Sequence, residues 1–174
     1  MDMTTTGVES SRLHLLETLK EFTENAVGDL ILPLNPKRER GAERKERTVE
    51  VYLMRLPNNS SSTKKAPYIL HQFVTGKDVQ EVGQNPVSSA VIRSVFCVYC
   101  DAEDEAEGAL ILMNLMERLR IAILKTPNIG HRYLMDKPEG LDTLIYPEQY
   151  PPYYMGEMIS AWKLPAVKEE SQCR

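Results

Sequence analysis

Two cysteines three positions apart, Cys97-Val-Tyr-Cys100, are the residues whose types and spacing come nearest to reactive chemistry in this chain. The spacing is that of dithiol redox pairs and of half a zinc site. A redox pair needs a thiolate stabilised by a helix N-terminus or a cation. Here Asp101, Glu103 and Asp104 follow at once, and their charges oppose a thiolate. Structural zinc needs four ligands, but Cys173 lies in a polar tail and His71 and His131 stand alone in sequence. In regular strand, positions 97 and 100 point to opposite faces. The expectation is a pair of buried structural cysteines, with no metal and no cofactor. An odd total of three cysteines fits reduced thiols better than a disulfide framework.

The remaining polar residues form no catalytic constellation. His14, His71 and His131 fall in separate segments, and no nucleophile elbow, Walker loop or dinucleotide fingerprint occurs. Asp101, Glu103, Asp104, Glu105 and Glu107 lack the alternating oxygen ligands, glycine and closing glutamate of a calcium loop. They read instead as a solvated helix start, where carboxylates oppose the positive end of the helix dipole. No catalytic residue is assigned, and the chain is expected not to be an enzyme. The Tyr/Pro segment is different in kind. Tyr146, Tyr150, Tyr153 and Tyr154 sit among Pro147, Pro151 and Pro152. Proline stiffening lowers the ordering entropy of presenting aromatic rings to a partner. The same rings could instead cover the domain's own core, and both readings stay open.

Several elements must position these residues. A first helix is predicted over about 9–26, capped by Ser10 or Ser11, with Leu13, Leu16, Leu19, Phe22 and Ala26 as its apolar stripe. Thr48 to Leu56 and Pro67 to Val74 read as an antiparallel hairpin with a long polar loop, and Gly76 to Pro86 as a polar connection. Ser88 to Cys100 is apolar on both faces, as expected of a central strand covered on each side. A second helix is predicted over about 103–125. Leu112, Leu115, Met116, Leu119, Ala122 and Ile123 form its core stripe, and Ile111 and Met113 widen the apolar surface toward a second partner. Short strands are expected at 131–135, 141–145 and 157–164. This order predicts an α+β fold, a mainly antiparallel sheet with two main helices packed on it.

The 174 residues are expected to form one domain, with flexible loops at about 35–47 and 57–66 and polar termini at 1–8 and 168–174. The 35–47 loop carries Lys37, Arg38, Arg40, Arg44, Lys45 and Arg47 among three acidic residues. It reads as a solvated arm, with contact to nucleic acid or an acidic neighbour as the alternative. A net charge of −4 argues against general attraction to DNA. No apolar run approaches the roughly 20 residues of a membrane-spanning helix, and the N-terminus lacks a signal-peptide pattern. A soluble protein made in the cytoplasm is expected.

One resemblance covers roughly residues 49–167. An acidic start is followed by Gly108, Asn114, Glu117, Arg118 and Arg120. Then come Pro127 and Gly130, Pro138, the box Tyr146-Pro-Glu-Gln-Tyr-Pro, Gly156-Glu, and Trp162 with a proline close behind. Upstream, Pro67-Tyr68-Ile69 and the strand before Asp101 are also similar. In order and spacing this resembles the tail completion, or tail terminator, proteins of long-tailed bacteriophages and prophages. The polar stretches 36–47 and 57–65 and the cysteine pair depart from that pattern.

The resemblance implies a non-catalytic virion protein with a tail-terminator-like fold, made in the bacterial host. It would form a hexameric ring that caps the tail tube, stops its polymerisation and offers a docking surface to head-tail connector proteins. Candidate interface residues are Tyr146, Glu148, Gln149, Tyr150, Tyr153, Tyr154, Ile111 and Met113. Asp101, Glu103, Asp104, Glu105 and Glu107 would lie at the rim or lumen, where phage DNA passes without specific binding. A head-tail connector or neck subunit is the alternative within virion proteins. A small thiol-dependent enzyme or regulator using Cys97 and Cys100 is the alternative of another class.

Overall fold

The computed structural model describes residues 10–36, 46–57 and 65–170. Helix α1 (Arg12–Val27) is capped by the Ser11 hydroxyl, which accepts from the His14 amide. Short strands β1 (Ile31–Pro33) and β2 (Glu46–Thr48) pair with each other. Strands β3 (Glu50–Leu53), β4 (Tyr68–Val79) and β5 (Val87–Tyr99) follow, then helix α2 (Glu105–Lys125). The chain continues through β6 (Asn128–Ile129), β7 (Tyr133–Met135), β8 (Leu141–Ile145) and β9 (Tyr153–Leu164).

The main sheet runs β3-β4-β5-β9-β7-β6, and β8 shares with β7 the flank of β9 turned away from β5. Both helices pack on one face of it. The fold is thus α+β with a mainly antiparallel sheet. Along β5 the residues Ile92, Phe96 and Val98 face the helices, joined by Ile69 of β4 and Met158 and Trp162 of β9. Leu15, Leu16 and Leu19 of α1 and Leu112, Leu115, Leu119 and Ile123 of α2 close this core. On the other face Val95, Cys97 and Tyr99 are buried in a smaller cluster with Ala66, Tyr68 and Leu70. The cover on both sides expected of the central strand therefore holds at its C-terminal half, while Val91 and Arg93 stay half-exposed.

Three expectations need correction. The first two strands do not form an antiparallel hairpin, because Glu50–Leu53 pairs parallel with Tyr68–His71. A parallel neighbour requires a crossover of about a dozen residues or more, and residues 54–67 provide that length. Met54 begins the departure with φ +63. Second, residues 76–79 are not loop but the outer part of β4, laddered to β5 as far as Val79↔Val87. β5 satisfies the backbone groups on one edge of this stretch, and exposed polar side chains such as Lys77 and Asp78 stand on it. Third, the buried face of α1 is Leu15, Leu16, Leu19, Thr23 and Val27. Leu13 is 45% exposed, and Phe22 and Ala26 pack only at the flank.

Thr23 turns inward because it completes a buried polar chain. Its hydroxyl donates to the Leu19 carbonyl at 2.7 Å. It must therefore accept from Nε2–H of His71 at 2.8 Å, leaving Nδ1 of His71 to accept from the Ser94 hydroxyl at 2.7 Å. Every ring nitrogen is used. Burial pushes the His71 pKa down to about 3, which keeps the ring neutral.

Candidate interaction surface

The Tyr/Pro segment lies between β8 and β9 beside the start of α2, and its backbone is clamped. Gln149 donates through Nε2 to the carbonyls of Tyr146 and Met155, both at 2.7 Å, and accepts at Oε1 from the Met155 amide at 2.7 Å. Tyr146 is tied to the helix-free face of the sheet. Its hydroxyl accepts from Nη2 of Arg93 at 2.9 Å and donates to Oε2 of Glu157 at 3.1 Å, while Nε of Arg93 donates to the same oxygen at 2.5 Å. The carboxylate of Glu157 raises the pKa of Arg93 further. Burial raises the pKa of the Tyr146 hydroxyl, which keeps it protonated as a donor.

Tyr153 packs its ring 5.5 Å from that of Tyr99 and accepts a hydrogen bond from Asn35. Tyr154 is buried in the main core, over the glycine of α2's first turns. A Cβ at Gly108 would stand 2.1 Å from the Tyr154 ring. Gly108→Ala should therefore destabilise the fold. The helix-propensity gain of about 0.5–1 kcal/mol is outweighed by an overpacking cost of about 1–3 kcal/mol. Urea unfolding of the variant checks the sign; a stabilised protein would mean that the ring shifts aside at little cost.

The candidate interface residues thus separate. Gln149, Tyr146, Tyr153, Tyr154 and Ile111 serve the protein's own fold; Ile111 packs against the main core. Tyr150 is 74% exposed, and Glu148 and Met113 also face solvent. An open groove of about 650 Å³ runs between α2 and the loop, bounded by Glu105, Ala106 and Ala109 on one side and Pro147, Glu148 and Tyr150 on the other. Further exposed apolar residues lie on neighbouring elements. Leu144 and Ile145 lie on β8, whose outer edge is unpaired among the described residues. Leu110, Ile121 and Leu124 lie on α2. The β8 residues could not be singled out from sequence, because Leu141–Ile145 reads the same whether its edge is covered or bare.

No protein-family model matches this chain, and no curated protein sequence matches it. Asp104 is the N-cap of α2, accepting from the Ala106 amide at 2.9 Å. Asp101, Glu103, Glu105 and Glu107 are exposed around it, as expected of a solvated helix start. Of the basic loop, Lys37, Arg38, Arg40, Arg44 and Lys45 lie outside the described residues. Arg47 lies in β2, half-buried. It pairs with Glu50 and donates to the carbonyls of Lys65 and Pro67, the latter at 3.1 Å. Arg47 therefore holds the strand entry and is not a free contact residue.

The cysteines fall where period-2 alternation puts them. Cys97 belongs to the small cluster on the helix-free face and Cys100 to the main core. Burial pushes the Cys97 thiol up to about 12, opposed by a hydrogen bond with Tyr68. Two thiols on opposite faces of a sheet do not form a dithiol pair, and a thiol of that pKa is protonated at neutral pH. Among the described residues, no group of three or more metal-ligating side chains is brought together. No helix among them is long and apolar enough to cross a membrane.

Proposed function

We propose that this chain is a structural subunit of a phage tail, a tail terminator or completion protein acting as a homo-hexameric ring in the virion. The ring would cap the tube formed by the tail tube protein, stop its growth and receive the head-tail connector. Because the reading rests on surface complementarity, it assigns no catalytic residue. The observation that carries it is apolar surface left open on two neighbouring elements, the Tyr/Pro loop and β8. Tyr150 stands on a loop clamped by Gln149, and Leu144 and Ile145 line the bare edge of β8. Ring closure needs heterologous contacts, with two different complementary patches on each subunit. Exposed Asp101, Glu103, Glu105 and Glu107 would repel phosphates where DNA passes.

Light scattering across a concentration series, with and without purified tail tubes, tests the reading. The expected result is a hexamer, formed alone or on the tube end, and tubes that no longer elongate. Tubes that keep growing at saturating protein would overturn it.

A further inference from the structure

We infer that the outer face of α2 is a two-fold contact with a second copy of this chain, made by two α2 helices packed antiparallel. The buried face of α2 is Leu112, Leu115, Met116, Leu119 and Ile123. Opposite it lies a second apolar stripe, with Leu110, Met113, Ile121 and Leu124 exposed by 64, 50, 41 and 47%. A helix that is apolar on two faces belongs in a buried setting. No described residue covers the stripe. One flank of α2 is held to the end of α1 by Arg118 and Asp29 at 2.7 Å, and the other faces β8 and the Tyr/Pro loop.

The order of this stripe identifies its occupant. Leu110, Met113, Glu117, Ile121 and Leu124 follow one another at intervals of three, four, four and three residues. The spacing reads the same from either end, with Glu117 at its centre; Met113 mirrors Ile121, and Asn114 mirrors Arg120. A two-fold contact is self-complementary: residue i meets j and j meets i. With two such helices antiparallel, Leu110 meets Leu124 of the second copy, Met113 meets Ile121, and Glu117 lies at the axis. Two carboxylates at an axis would repel, but each is already neutralised. Arg120 forks onto Glu117 of its own helix through Nε at 2.8 Å and Nη2 at 2.7 Å, and this hydrogen-bonded pairing lowers the carboxyl's pKa. The stripe therefore presents apolar ends and a neutral polar centre that fit their own inverted copy. One helix stripe falls short of the roughly 1,200 Å² that stable complexes bury, so association at micromolar concentrations or above is expected.

This inference does not depend on the ring reading, since an isologous contact pairs copies and closes no ring. Disulfide trapping in a Cys173→Ser background tests it. Glu117→Cys should give a covalent dimer on mild oxidation, and Leu110→Cys alone should not. Leu110→Cys mixed with Leu124→Cys should cross-link. In sedimentation, Met113→Arg should raise the concentration needed for dimerisation at least tenfold. A chain monomeric throughout, a self-linked Leu110→Cys, or a Glu117→Cys protein that stays uncoupled would each overturn the two-fold contact. Capping of tail tubes is read separately, so its failure and the failure of this contact are told apart.

Discussion

Taking this protein from pH 7 to pH 5 should remove about 2 kcal/mol of folding stability through His71 alone, at about 1.4 kcal/mol per pH unit below the unfolded pKa. The buried ring holds its pKa near 3, against an ordinary 6.5. Above 6.5 the histidine is neutral in both states and its contribution is complete. Between 6.5 and about 3 the unfolded chain takes up a proton that the folded chain refuses, so stability falls as pH falls. Below about 3 both states are protonated and the loss levels off. Burial is the whole cause of the shift, because the ring's partners are the neutral hydroxyls of Thr23 and Ser94. His71→Gln should be less stable at pH 7, since it leaves part of this buried chain unpaired. It should also show a stability-pH slope shallower by the amount given above. Urea unfolding of both proteins at pH 7, 6 and 5 separates the histidine from the carboxylates, which titrate alike in each. Parallel slopes would mean that the ring is reached by water or protonates in place.

Gln149→Ala should release the Tyr/Pro loop and lower stability by about 2–3 kcal/mol, at about 1 kcal/mol for each of three hydrogen bonds to backbone groups. The side chain bridges both ends of the loop, reaching the carbonyls of Tyr146 and Met155 and the amide of Met155. Gln149→Glu is the sharper variant. It keeps the size and the acceptor, but a carboxylate cannot donate to two carbonyls and is repelled by them. Hydrogen exchange at the Met155 amide should rise in both variants. If the loop presents Tyr150 and Glu148 to a neighbouring subunit or to the tube, both variants should also cap tubes less well than Tyr150→Phe, which keeps the loop and its ring. Equal capping by all three would remove the loop from the interface.

Which faces are buried was largely legible in the residues. Alternation along β5 separated Ile92, Phe96 and Val98 from Val95, Cys97 and Tyr99, and it set Cys97 and Cys100 on opposite sides. The acidic start of α2 and its core stripe were equally readable, because propensity, capping and the 3.6-residue period are local properties of the chain. Of the two residues expected to widen the apolar surface of α2, Met113 is exposed, whereas Ile111 packs against the main core.

Other features were decided only by tertiary contacts. Alternation reads alike in both directions, so nothing in residues 49–56 and 67–74 distinguished a parallel from an antiparallel neighbour. That choice was made by the long-range pairing of Glu50–Leu53 with Tyr68–His71. The rotation of α1 followed from His71, because Thr23 is an ordinary helix residue until a buried imidazole needs its hydroxyl. The split of the tyrosines had the same origin. Tyr150 and Tyr154 are alike in sequence, yet Gly108 leaves room for the ring of Tyr154 alone. Periodicity and charge pattern set which residues are able to face the core. Long-range packing, in which one missing Cβ or one buried ring nitrogen selects its partner, set which of them do.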